Sequence, residues 1–132
     1  MIALPSQINT IFDTLSRNGH EAYVVGGCVR DFIMGKQPHD WDVTTSASPE
    51  EIKASFAGFR TIDTGIQHGT VTVIVDSEPF EITSFRIDGE YSDNRHPDSV
   101  KFTKNINDDL ARRDFTMNAI AYNPETGFID PF

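Results

Sequence analysis

The 132-residue sequence predicts an α/β fold in a single domain, a mixed, largely antiparallel sheet backed by helices on one side. Apolar residues first recur at helical spacing (Ile8, Ile11, Phe12, Leu15), and short runs rich in Ile, Val, Thr and Phe then follow one another through the middle of the chain. With 38% hydrophobic residues, ten Phe among the side chains, there is enough apolar surface for a core.

Taken in order, Ser6 to Arg17 reads as an amphipathic helix stopped by Asn18-Gly19. Ala22 to Val25 reads as a short buried strand, Gly26-Gly27 as a sharp turn, and Val29 to Met34 as a helix closed by Gly35. Asp40 to Thr44 is the next strand. Ser48, Pro49 and Glu51 then take the N-cap, N1 and N3 positions of a capping box, opening a helix that reaches about Phe56. Phe59 to Thr64, Thr70 to Val75 and Phe80 to Arg86 read as an antiparallel meander, broken by Gly65, Gly69 and the turn Asp76-Ser77-Glu78-Pro79. Residues 87–99 have almost no apolar content and read as a long mobile loop. Asn107 to Asn123 is helical in pattern, its apolar face interrupted by Asp114 and Asn118.

Eleven Lys and Arg against twenty Asp and Glu leave a formal charge of −9, a poor match to a polyanion and an argument against an autonomous nucleic-acid binder. Cys28 is the single cysteine, so an internal disulfide and a cysteine-based zinc site are excluded and a reducing compartment fits. Met1 to Ser6 lacks a targeting pattern, and no run approaches the roughly 18 apolar residues of a membrane span. The expectation is a cytoplasmic protein with no membrane partner.

Asp40 and Asp42 are the first candidates for chemistry. Residues i and i+2 of a strand point to one face about 6–7 Å apart, with Trp41 and Val43 turned the other way into the core. Two readings stand: solvated surface charge, or a carboxylate pair that holds Mg²⁺ through hard oxygen ligands. Glu81 is a third carboxylate if its strand pairs beside Asp42, and otherwise an exposed strand Glu. The Gly26-Gly27 turn, between strand and helix, either lets a phosphate approach the backbone or is only a turn. Arg30 could clamp a phosphate oxygen, while Asp31 could orient Arg30 or bond a backbone donor. Further on, Arg112 and Arg113 suit phosphate or base contacts through the guanidinium fork, and Asn118 needs a partner such as a ribose hydroxyl if buried. A solvated face is the alternative for Arg112-Arg113-Asp114. His20, His39, His68 and His96 share no ligand spacing.

Three ordered motifs then carry a resemblance: Tyr23-Val24-Val25-Gly26-Gly27-Cys28-Val29-Arg30-Asp31, Asp40-Trp41-Asp42-Val43-Thr44-Thr45 and Arg112-Arg113-Asp114-Phe115-Thr116-Met117-Asn118-Ala119. Together they resemble the class II tRNA nucleotidyltransferases and bacterial poly(A) polymerases of the DNA polymerase β superfamily, with spacing most like the CCA-adding enzymes. The resemblance implies a nucleotidyltransferase fold that adds CMP and AMP from CTP and ATP to the 3′ end of tRNA. It implies that Asp40 and Asp42 bind two magnesium ions, that Gly27 and Arg30, beside Gly26, contact the triphosphate, and that Arg112, Arg113, Asp114 and Asn118 hold phosphates and ribose. The segment Arg86 to Val100, with Asp88, Gly89, Asp93, Arg95 and Pro97, resembles the loop such enzymes use in switching from C to A addition. Relatives continue into a helical neck, body and tail that select the base and grip tRNA, so residues 1–132 are expected to be a catalytic head domain. A poly(A) polymerase head, or an inactive nucleotide- or metal-binding module, are the alternatives.

Overall fold

The computed structural model describes residues 4–35, 41–65, 69–88, 100–111 and 120–129. Helix α1 (Ser6–Arg17) buries Ile8, Ile11, Phe12 and Leu15 on one face and ends at Asn18, where Gly19 turns the chain at φ +82°. Strand β1 (Ala22–Val25) is buried along its whole length. Gly26 then leads into helix α2 (Gly27–Ile33), and strand β2 (Asp42–Thr45) follows. Helix α3 (Pro49–Ser55) opens on the expected capping box: the Glu51 backbone N–H donates to Ser48 Oγ at 3.2 Å, and the Ser48 N–H donates to Glu51 Oε1 at 2.8 Å.

Strands β3 (Arg60–Gly65), β4 (Thr70–Val75) and β5 (Glu78–Ser84) form the antiparallel meander. The chain then departs from the expected loop. Strands β6 (Arg86–Asp88) and β7 (Val100–Phe102) pair as a separate ribbon just beyond Phe85, whose N–H still donates to Thr45 O of β2 at 2.7 Å. Residues 89–99, the rest of that expected loop, lie outside the described residues.

Helix α4 (Ile106–Ala111) begins where the long C-terminal helix was expected, but residues 121–123 are not helical. They form strand β8 (Ala121–Asn123), which pairs with β1 and turns into strand β9 (Gly127–Ile129). Asn123 makes that turn: its Oδ1 accepts from the Glu125 N–H at 2.8 Å and its Nδ2 donates to Ala22 O at 2.7 Å. Ala121 and Tyr122 pack into different cores, which a strand's alternation achieves and a helix face does not.

The seven-stranded sheet has the order β3-β4-β5-β2-β1-β8-β9. Every neighbouring pair is antiparallel except β2 with β5, which is parallel. One face carries the main core, where Ile8, Ile11 and Leu15 of α1, Val29 of α2 and Ile52 of α3 meet Val24, Val43, Val71, Val73 and Ile82 of the sheet. The other face is not bare. Tyr23 and Val25 point there and are covered with Phe85 and Ala121 by Ile106 and Leu110 of α4. The expectation of helices on one side therefore holds for α1 to α3 and fails for α4, because β1 is apolar on both faces and needs cover on both. No helix among the described residues is long and apolar enough to cross a membrane.

Candidate active site

Asp42 is the first residue of β2, an inner strand flanked by β1 and β5. On one side it pairs with Val25, immediately before the glycine turn. On the other it pairs in parallel register with Glu81. Partners across adjacent strands share a face and stand roughly 4.7–4.9 Å apart, so Asp42 and Glu81 present neighbouring carboxylates to the same side of the sheet. Both are exposed, whereas Val43 and Ile82 beside them turn into the main core. Trp41 packs against that core as well.

A cleft of about 200 Å³ opens over this pair, lined in addition by Thr44, Thr70, Thr83 and Arg86. The threonines hold one another: Thr44 Oγ1 donates to Thr83 O at 3.0 Å, and the Thr70 and Thr83 hydroxyls are hydrogen-bonded at 3.0 Å. The carboxylates thus sit on a hydroxyl-lined floor between β4 and β2. A larger groove of about 400 Å³ lies at the far end of β1, between α1 and the β8–β9 turn, away from both carboxylates.

Gly26 borders the site directly. Its φ is +79°, and a Cβ added there would lie 4.0 Å from Asp42 Oδ2. The space is adequate for a methyl group, so the backbone angle is what calls for glycine. Arg30, one turn into α2, is exposed and donates from Nε and Nη2 to Asp31 Oδ1, both at 3.4 Å. It is not among the residues lining the cleft.

Gly27 opens α2 and Asp88 closes β6. Asp40, Gly89, Asp93, Arg95, Arg112, Arg113, Asp114 and Asn118 lie outside the described residues. Carboxylate oxygens such as those of Asp42 and Glu81 are the hard donors that suit magnesium, and a cation between them would relieve their mutual repulsion. Among the described residues, no three His, Cys, Asp or Glu side chains gather into a group able to hold a metal.

Sequence reasoning did not find Arg86 or the threonines as part of this cleft. Thr44 and Thr83 lie two residues after Asp42 and Glu81 on their strands and Thr70 pairs with Thr83, so the strand register would have placed them on the same face. Arg86 carried no such signal. It follows Phe85, the point where the chain leaves the main sheet.

A family described as the poly A polymerase head domain matches residues 22–132, from the first residue of β1 onward. The chain belongs to this head-domain family. Its curated relatives include a CCA-adding enzyme of Lactobacillus delbrueckii subsp. bulgaricus, 50% identical over 127 residues, covering 96% of this chain and 32% of that protein. Another, from Geobacillus thermodenitrificans, is 50% identical over 122 residues, covering 92% of this chain and 30% of that protein. The chain therefore spans about a third of the length of these relatives. A crystal structure of the Bacillus stearothermophilus CCA-adding enzyme in complex with CTP superposes with a TM-score of 0.84 at 42% identity, over 96% of this chain and 29% of that one. The nucleotidyltransferase fold and the mixed, mostly antiparallel sheet of the head-domain family are thus both present here.

Proposed function

We propose that this cleft carries out nucleotidyl transfer, adding CMP and AMP from CTP and ATP to the 3′ end of tRNA. The reading rests on the parallel register that sets Glu81 beside Asp42 behind the Gly26 turn. It is supported by relatives named CCA-adding enzymes and by a solved relative in complex with CTP.

The reaction forms a bond from the tRNA 3′-hydroxyl oxygen to the α-phosphorus and breaks the bond to the bridging oxygen, so that pyrophosphate leaves. Asp42, with Asp40 by family resemblance, would hold two magnesium ions, and Glu81 would be the third carboxylate. Bound magnesium would lower the pKa of the hydroxyl and neutralise charge on the leaving pyrophosphate. Glu81, as that third carboxylate, would be the group available to take up the proton the hydroxyl gives up. Gly26, Gly27 and Arg30 would meet the triphosphate, and Arg112, Arg113, Asp114 and Asn118 would hold its phosphates and ribose. Asp88, Gly89, Asp93 and Arg95 belong to the segment proposed to act in the switch from C to A addition. A tRNA substrate places the work in the cytoplasm. The −9 charge agrees with a head that supplies chemistry while most tRNA contact lies elsewhere in the full-length relatives.

Calorimetric titration with CTP and with ATP, with and without magnesium, tests this directly. Magnesium-dependent binding that is lost in Asp42→Ala is the expected result; equal binding by both proteins would remove Asp42 from the site. The family description also admits polyadenylation, and incorporation of CMP into a tRNA primer separates the two activities.

A further inference from the structure

Asp109 is wholly buried, whereas its neighbour Asp108 is exposed. Two acidic residues in the first turn of α4 look alike in sequence, and either would complement the helix N-terminus. Only one remains in water to do so. A carboxylate carried into the interior is unfavourable unless hydrogen bonds compensate it. Asp109 Oδ2 accepts the backbone N–H of Arg86 at 3.0 Å.

That bond ties together three parts of the molecule. Arg86 lines the carboxylate cleft with Asp42 and Glu81, and it is also the first residue of the β6–β7 ribbon. Asp109 sits on α4, whose last residue, Ala111, immediately precedes Arg112-Arg113 in the chain. The neighbouring backbone is pinned on both sides, since the Phe85 N–H donates to Thr45 O at 2.7 Å and the Thr103 N–H donates to Phe85 O at 3.0 Å. Phe85, Ile106 and Leu110 close the small core around the junction.

We propose that Asp109 is a positioning residue of the nucleotide site: through the Arg86 backbone it sets the cleft wall and the ribbon root against α4. This rests on the nucleotidyl-transfer reading of the cleft. Asp109 touches no reacting atom in this scheme. It acts by holding one backbone group in place.

The test compares the chain with Asp109→Ala and Asp109→Asn, and with Asp42→Ala as a control. Two quantities are read: hydrogen exchange of the Arg86 amide relative to the Val24 and Val43 amides, and calorimetric affinity for magnesium-CTP. In Asp109→Ala the Arg86 amide should exchange faster while Val24 and Val43 keep their protection, and affinity should fall about tenfold. Asparagine keeps a carbonyl oxygen toward Arg86, so Asp109→Asn should restore affinity to within about threefold of the parent. Should Asp109→Ala fail to fold, Asp109→Leu fills the space without offering an acceptor and replaces it in the comparison. Unchanged Arg86 exchange or unchanged affinity in the acceptor-less variant would overturn the proposal, as would an Asn variant no better than it. Magnesium-CTP binding that survives in Asp42→Ala, or is missing from the parent chain, would instead overturn the underlying reading of the cleft.

Discussion

Replacing Asp42 by alanine removes one of two carboxylates that meet across β2 and β5, at a position exposed to the cleft and outside both hydrophobic cores. Far-ultraviolet circular dichroism should therefore be unchanged, while in a full-length enzyme background nucleotide incorporation should disappear; near-parental rates would remove the metal role. Gly69 illustrates a different kind of residue. Its φ is +85°, and a Cβ there would lie 2.5 Å from Cε1 of Phe102, the last residue of β7. Phe102 is 46% exposed, so its ring can swing aside, and the left-handed backbone remains the larger problem. Gly69→Ala should lower stability by about 1 kcal/mol, measured as a shift in the urea midpoint at unchanged m. The turn role of Gly69 was legible, because it separates two runs of strand-forming residues. Its contact with Phe102 was not, because the two residues meet only once the ribbon folds back over the meander.

At the level of elements, the α3 capping box was legible because all of its partners lie within one turn. Ser48→Ala should cost about 1 kcal/mol, read from thermal or denaturant unfolding. Glu51 draws on a longer-range partner as well: Lys104 Nζ donates to Glu51 Oε1 at 3.0 Å and to Ser46 O at 2.5 Å, joining the approach to α4 to the start of α3. The Ser48 N–H first, and Lys104 second, hold the Glu51 carboxyl down from the ordinary 4.5 to about 2. A carboxyl lowered on folding contributes stability that is full above 4.5 and is lost as pH falls toward about 2. Acid unfolding of Glu51→Gln should therefore lose part of its pH dependence in that window. On β1, burial first and the hydrogen bond to Glu21 second push the Tyr23 phenol up to about 12. Its contribution is present below 10 and is lost as pH rises toward 12, so the absorbance titration of Tyr23→Phe should lack the late phenolate step. The C-terminal elements were the least legible. Leu110 and Ile120 fit a helical period, yet Ala121 to Asn123 join the sheet beside β1, where pairing and two-sided burial outweigh that pattern.

Across the whole molecule, the sheet divides its labour by face. The face that carries Asp42, Thr44, Glu81 and Thr83 is polar over β5 and β2, and becomes apolar over β1 and β8 where α4 covers it. The chemistry of the proposed site and the small core therefore lie side by side, joined at Arg86 and Asp109. If residues 88–95 act in the switch from C to A, deleting them from a full-length enzyme should spare CC addition and impair the final A; unchanged A addition would refute that role. The sequence by itself determined the α1 amphipathic stripe, the glycine turn after β1, the α3 cap, the antiparallel meander and the family motifs, since each depends on spacing within a short stretch of chain. Only the tertiary structure decided that β5 returns to lie parallel to β2, bringing Glu81 to Asp42, and that α4 closes the second face with one aspartate buried. Local periodicity reports which way a side chain faces along its own strand or helix. Which strand becomes its neighbour follows from packing after a long crossover, where burial of both sheet faces outweighs any local preference.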